Sequence, residues 1–189
     1  MSRMGRGKLA IAVAGGLVVL LIGAVVTERW WVRSRDYLEP GSTSQVPAGA
    51  RVESAGNVAV VPYRQGARVA YGISIRNRGP LSVTVTEVAR PSTSGESVFR
   101  PVEVRMARRE RGGTRADLQF VPFTLDPGQE RYVEVVGELG ACRAYDPGRV
   151  YRIASQRVRF EVFREALSAD VKLPTPIEWR FGPDTPCPA

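Results

Sequence analysis

The sequence predicts an all-β protein, built from two packed antiparallel sheets and preceded by one N-terminal transmembrane helix. Three observations lead to this prediction. An uncharged run of eighteen residues, Leu9 to Val26, lies near the N-terminus. From about Val58 onward the chain consists of short runs in which apolar and polar residues alternate, as in half-buried strands. Strong turn signals separate these runs, namely "RGGT", "LDPGQ" and "YDPGR".

Length and composition restrict the function classes. The chain has 189 residues, which suits one domain, and its 43% apolar and 24% charged residues are typical of globular proteins. The net charge of +8 is carried almost entirely by arginine, and this bias alone does not indicate nucleic-acid binding. The chain has no histidine, which excludes serine-histidine, cysteine-histidine and histidine-metal chemistry. We expect no enzyme, no cofactor and no nucleic-acid partner.

The N-terminus has the layout of a membrane anchor. Residues 1–8 form a basic cytoplasmic tail, and a helix over residues 9–27 is long enough to cross the bilayer, since the uncharged run alone spans about 27 Å. A cleaved signal peptide is the alternative, but "AVVTERWW" lacks the small residues of a cleavage site. Trp30 and Trp31 follow the run directly, where aromatic rings favour the headgroup region. We therefore predict an uncleaved anchor.

Orientation and compartment are predicted from the flanks of the anchor and from the cysteines. Three basic residues lie on each side of the uncharged run, so the positive-inside rule does not decide the orientation. A short N-terminal tail usually stays in the cytoplasm, which predicts a single-pass cell-membrane protein with its C-terminal domain outside. A disulfide between Cys142 and Cys187 agrees with this oxidising location, whereas two free thiols are the alternative.

The remaining chain divides into a linker, a domain and a tail. Residues 28–52 are rich in Pro, Gly, Ser and Thr and predict a juxtamembrane linker, residues 53–182 form the sandwich, and residues 183–189 form the C-terminal tail. In the first strand of the domain, Tyr71, Ile73 and Ile75 face one side. We expect a hairpin here, in which Asn77-Arg78-Gly79-Pro80 joins this strand to Leu81–Val88, with Asn77 and Gly79 tolerating positive φ.

Further strands are predicted along the rest of the domain. Pro174 and Pro176 interrupt the last of them, and we expect an edge position or a break where the strand changes sheet. Aromatic residues at strand period are expected to fill the core. The predicted runs are Val98 to Met106, Leu118 to Leu125, Tyr132 to Val136, Val158 to Phe163 and Val171 to Phe181.

Two stretches resemble a known fold. "IRNRGPLSVTVTEV" followed by "FVPFTLDPGQERYVEV" is similar to the order seen in immunoglobulin-like domains of the major-sperm-protein type, in which an Asn-x-Gly turn joins two strands. The resemblance covers residues 69 to 136 and implies an immunoglobulin-like sandwich without implying an activity. The layout of the whole chain also resembles the uncharacterised single-anchor envelope proteins of actinobacteria.

The most unusual local feature is the stretch "RMARRERGGTR". It gathers five arginines around a Gly112-Gly113 turn, and at a hairpin tip they suit phosphate or carboxylate partners. The sequence thus predicts a non-catalytic, membrane-anchored interaction or structural module of the cell envelope, with a protein partner. Binding of anionic envelope polymer or lipid through the arginine cluster is the alternative. The cluster consists of Arg105, Arg108, Arg109, Arg111 and Arg115.

Overall fold

A computed structural model describes most of the chain after the predicted anchor. It covers residues 27, 30–55, 57–89, 92–93, 98–110, 113–140 and 150–181, without the side chains of residues 92–93, 107–110 and 113–117. The chain divides into two units, residues 1–35 and residues 36–189. In the first unit residues 30–33 are helical, and the Arg35 guanidinium lies 4.2 Å from the centroid of the Trp31 ring.

The predicted anchor falls outside the described part of the chain except for Thr27. Within the residues that the structure covers, no helix has the length and apolar character needed to span a bilayer.

The second unit is all-β, which confirms the sandwich-like, all-β prediction. Twelve strands lie within its described residues, and most are short alternating runs with one buried face. The strands are β1 Leu38–Gln45, β2 Arg51–Glu53, β3 Val58–Val60, β4 Arg68–Asn77, β5 Val83–Val88, β6 Ser92–Thr93, β7 Phe99–Glu110, β8 Gly113–Gln119, β9 Phe123–Leu125, β10 Glu130–Leu139, β11 Val150–Val162 and β12 Glu165–Arg180.

These strands form two sheets. Sheet A has five strands in the order β1-β4-β10-β7-β8. Sheet B has seven strands in the order β2-β3-β12-β11-β5-β9, with β6 beside β11. Every described pairing is antiparallel except that of β3 with β12, which is parallel.

The inner faces of the two sheets pack against each other. The Tyr71 hydroxyl of sheet A donates a hydrogen bond to Gln156 Oε1 of sheet B at 2.6 Å, and both side chains are buried. Gln156 in turn donates through Nε2 to the carbonyl oxygen of Ala89. Phe99 of β7 stacks on Trp179 of β12 with ring centroids 5.9 Å apart. Burial without ionic partners raises the pKa of the Tyr71 hydroxyl well above its ordinary value, so it remains a donor.

The predicted β4–β5 hairpin is wrong. β4 lies in sheet A, whereas β5 lies in sheet B between β11 and β9, so the segment between them crosses from one sheet to the other. The alternation of apolar residues correctly places Ile73, Val83 and Val85 in the core. Alternation identifies the buried face of a strand but not its partner, and two strands facing one core from opposite sheets give the same pattern.

Asn77 makes this crossover possible. Its fully buried side chain donates from Nδ2 to the carbonyl oxygens of Leu81 and Leu125, at 2.7 and 2.9 Å, and accepts the Gly79 amide at Oδ1 at 2.9 Å. The backbone groups that leave the ladder of β4 are therefore satisfied within the fold.

Gly79 does not have the expected positive φ. Glycine is required there because the Tyr37 ring packs so close to the backbone that a Cβ would collide with it. In the described chain, positive φ angles occur instead at Asn57, Phe163, Arg164, Gly49, Gly66 and Gly128.

Two further expectations differ from the structure. β1 and the first two residues of β2 lie within residues 28–52, so the sheets begin inside the predicted linker. The two prolines near the C-terminus neither end β12 nor move it to the other sheet. Residues 173–176 form an irregularity opposite Ala154 of β11, since Lys172 pairs with Ser155 and Ile177 with Ile153. An irregularity of this kind accommodates proline, which cannot donate to the ladder.

The strands define two opposite ends of the sandwich. The corner end carries Asn77 and the turn at 126–129, since Gly128 donates to the Asn77 carbonyl oxygen and Asn77 donates to that of Gln129. The far end carries the last residues of β10 and β12, Leu139 and Arg180, together with the first residue of β11. The chain enters the second unit at the corner end, because Leu38 pairs with Asn77.

Candidate functional site

The stretch with most of the arginines forms a hairpin of β7 and β8, as its turn signal predicts. β7 runs from Phe99, opposite Leu139, to Met106, opposite Val133, and then continues for four residues toward the first residue of β10. The hairpin tip, residues 111–112, lies outside the described part of the chain. Because β10 begins at the corner end, the hairpin is directed toward that end.

The backbone register brings several arginines of the cluster together. Arg108 pairs with Arg115, and Arg109 pairs with Thr114. Like charges directly opposite one another on neighbouring strands are destabilising unless a counter-charge is near. Their side chains lie outside the described atoms, as does all of Arg111.

Arg105 does not belong with the others. Its guanidinium lies 2.7 Å from a Glu103 carboxylate oxygen and 3.8 Å from that of Glu134 on β10. The hydrogen bond from Arg105 lowers the pKa of Glu103, and the same bond raises the pKa of Arg105. Arg105 is therefore part of an ion-paired row on the outer face of sheet A, with its charge already matched.

β8 is an outermost strand of sheet A among the described residues. Its seven residues contain no proline and pair with β7. The opposite edge, β1, carries Pro40 and an irregularity at residues 41–43, where Glu130 accepts the Ser42 amide at 2.8 Å. The outer strands of sheet B, β2 and β9, have three residues each. Short strands, prolines and irregularities all hinder the addition of another strand.

Exposed apolar side chains lie beside the β8 edge. Val102 on β7, Leu118 on β8 and Val121 just after it are among the seven large apolar side chains of the described chain that are at least half exposed. A register shift leaves Asp117 as one extra residue on β8. The irregularity limits regular pairing to short stretches on either side of it, which suits a peptide partner better than open-ended sheet growth.

The remaining predicted site residues lie elsewhere. Trp30 is 70% exposed and Trp31 is partly buried. Cys142 and Cys187 both fall outside the described residues, so their bridge stays a prediction. Gly140 and Phe181, the last described residues before the two cysteines, both contact Tyr63. The Tyr63 hydroxyl donates to the Gly140 carbonyl oxygen at 2.5 Å, and the centroid of its ring lies 4.6 Å from that of Phe181.

Other chemistry is sparse in the covered part of the chain. No group of three His, Cys, Asp or Glu side chains there has the arrangement of a metal site. The acidic residues of the outer faces are mostly ion-paired across strands, for example Glu87 with Arg159 at 2.8 Å and Asp170 with Arg157 at 3.1 Å.

Comparison with known proteins gives no family. The chain matches no protein-family model and no curated protein sequence.

Sequence reasoning missed the open edge of β8 and the turn at Phe163-Arg164. Which strand lies outermost depends on sheet order, for which the sequence has no local signal. The turn has no glycine, asparagine or proline to mark it.

Proposed function

We propose that the chain is a non-catalytic interaction module, anchored in the cell membrane by its N-terminal helix, with its β domain outside the cytoplasm in a bacterial envelope. Its partner is a protein that adds an extended segment to the edge of sheet A. The observation that carries this proposal is the β8 edge, seven residues long, with exposed apolar side chains at Leu118 on the strand and at Val121 just after it. Added strands bind through main-chain hydrogen bonds, with side-chain contacts giving specificity.

Two further features support the proposal. The two-sheet architecture, with a crossover at Asn77, agrees with an immunoglobulin-like sandwich, a fold that often serves as a binding scaffold. The chain also lacks histidine, and its described outer-face carboxylates are engaged with arginines or hydroxyls in many cases. The contact of Tyr63 with both Gly140 and Phe181 is compatible with the predicted bridge between Cys142 and Cys187, which follow these residues.

Site-specific photocross-linking in the native host tests the partner site. A photoreactive amino acid replaces Leu118 on β8 or, as a matched control on the opposite edge of the same sheet, Ser44 on β1. We expect one discrete protein adduct from position 118 and none from position 44. The adduct should persist at moderate salt, because apolar and main-chain contacts are weakly screened. Equal adducts from both positions would show that β8 is not the specific binding edge.

A second candidate function is binding of an anionic envelope polymer or lipid through the arginines of the hairpin. The register favours it, because Arg108 lies opposite Arg115 and an anion between like charges would relieve their repulsion. Replacing Arg108, Arg109 and Arg111 by Ser should then weaken binding to anionic vesicles and flatten its salt dependence. Arg105→Gln is the matched control, since Arg105 is paired with Glu103, and it should leave the salt dependence unchanged.

A further inference from the structure

The turn between β11 and β12 has an unfavourable sequence for its conformation. Val162 pairs with Glu165, so that Phe163 and Arg164 alone form the loop. Both have positive φ angles, 48° and 67°, as the two-residue hairpin turn of type I′ requires. Asn-Gly is the favoured pair in this turn, whereas side chains such as Phe and Arg are disfavoured in the left-handed region. Strain of this kind at an exposed position points to a role for the side chains themselves.

Phe163 is directed away from the core. Its side chain is 63% exposed, whereas its neighbours Val162 and Phe160 are buried. Arg164 follows it at the tip and is also exposed. An aromatic ring next to a long cationic side chain suits the boundary between the hydrocarbon and the headgroups of a bilayer, where the ring is buried and the guanidinium remains among phosphates.

The turn lies at the end of the domain where the chain enters it. Tyr37, near the start of the second unit, contacts Phe160 with ring centroids 6.1 Å apart. Arg78, next to the Asn77 corner, forms an ion pair with Asp36 at 2.8 Å. Glu161 of β11 pairs with Thr84, close to the start of β5 after the crossover. The Phe163 turn, the crossover and residue 36 therefore share the corner end.

Chain length restricts how far this end can be from an anchor. Nine residues lie between Val26, the last residue of the uncharged run, and Asp36, so ten residue steps join the two. Fully extended they span at most about 36 Å, and residues 30–33 are helical, which shortens the reach further. The β7–β8 hairpin is directed toward the same end.

We propose that the Phe163-Arg164 turn inserts into the interfacial region of the phospholipid bilayer, so that the corner end of the domain rests on the membrane. This inference rests on the proposed membrane anchoring. Asp36, at the same end, is ion-paired with Arg78 at 2.8 Å, which offsets its repulsion from anionic lipid.

The test uses the full-length chain in nanodiscs of phosphatidylcholine and phosphatidylglycerol. A fluorescent amino acid replaces Phe163 or, as a matched control at the other end of the same strand, the half-exposed Val150. Some of the lipids carry a nitroxide quencher at the headgroup. We expect strong quenching at position 163 and none at position 150. The same result is expected in phosphatidylcholine alone, because insertion of an aromatic ring does not require anionic lipid.

Three outcomes would overturn the inference. Equal quenching at both positions would show that the corner end does not face the bilayer. Quenching at position 163 that is confined to anionic discs and abolished by high salt would indicate arginine attraction without insertion. If the chain stays with the discs but position 163 is not quenched, the insertion of the turn is refuted and the anchoring proposal is not. If the chain does not associate with the discs, both proposals are refuted. Thermal unfolding of both labelled proteins verifies that each is folded.

Discussion

The two ends of the sandwich are stabilised differently. At the corner end, one buried amide, that of Asn77, satisfies three backbone groups, and a strained turn holds Phe163 in solvent. At the far end, aromatic rings pack around Phe181, with centroid distances of 4.6 Å to Tyr63 and 5.4 Å to Tyr151. The buried polar contacts of the corner end thus centre on one amide, whereas the far end combines aromatic packing around Phe181 with the hydrogen bond from Tyr63 to Gly140.

The two ends meet different structural requirements. A chain crossing between sheets leaves both ladders, so its polar groups need side-chain partners, and Asn77 supplies them. At the far end Tyr63 contacts two segments at once, since its hydroxyl donates to the Gly140 carbonyl oxygen and its ring packs on Phe181. The exposed turn to which we assign a role, Phe163-Arg164, lies at the corner end.

The largest expected effect concerns the predicted disulfide, whose cysteines follow the far-end residues Gly140 and Phe181 in sequence. Replacing Cys142 and Cys187 together by Ser should lower the free energy of unfolding by about 4 kcal/mol, because the open chain gains conformational entropy when unfolded. Denaturant unfolding of the purified protein measures this change. A reductant added to the natural protein should produce the same loss, and an unchanged stability in both experiments would exclude the bridge.

The next effect concerns the corner. Asn77→Ala should cost about 3 kcal/mol, since it leaves the Leu81 and Leu125 carbonyl oxygens and the Gly79 amide without their partner in the interior. Asn57→Gly is the control, because Asn57 makes one exposed hydrogen bond to the Pro174 carbonyl oxygen and has a positive φ that glycine accepts. The control should cost less than about 1 kcal/mol. Equal losses would mean that the corner is not specifically stabilised.

A smaller effect, of opposite sign, is expected at the β11–β12 turn. Replacing Phe163 by Asn and Arg164 by Gly should raise the free energy of unfolding by about 1 kcal/mol, since this pair fits the type I′ turn. Calorimetry of the double variant measures the change. A lower melting temperature would indicate that Phe163 contributes packing, which would weaken the argument that its exposure serves binding.

The smallest effect is a pH dependence at the far end. Arg180 forms two hydrogen bonds with Glu53, at 3.0 and 2.8 Å, and this lowers the pKa of Glu53 below its ordinary value of 4.5. A lowered folded-state pKa contributes stability above the unfolded-state value, and that stability is lost as the pH falls through the folded-state pKa. Melting temperatures of the natural protein and Glu53→Gln should differ slightly at neutral pH and converge in acid. A difference that persists in acid would contradict this assignment.

Part of the fold follows from the sequence alone. The alternation in β4 predicts the buried positions of Tyr71, Ile73 and Ile75, because a strand with one buried face has a period of two. The "LDPGQ" signal lies at the turn between β9 and β10, and the "RGGT" signal falls where β7 ends and its partner β8 begins, since glycine, proline and aspartate favour turn conformations.

The rest depends on long-range pairing. The sheet membership of β4 and β5 follows from their pairing with β10 and β11, strands far away in sequence, which no local pattern reveals. β1 resembles a linker because its proline and its Gly41-Ser42-Thr43 segment occupy an edge irregularity, where they are tolerated. Sequence proximity groups Arg105 with the other arginines, yet its partner Glu134 lies on another strand.

The most direct test of the account is the intact mass of the full-length protein recovered from carbonate-washed membranes of its native host without a reductant. The account predicts a membrane-retained chain that keeps the residues before Trp30 and is two hydrogens lighter than the dithiol form. A shorter chain in the soluble fraction, or a membrane-retained chain with both thiols free, would contradict the anchored, extracytoplasmic domain proposed for this protein.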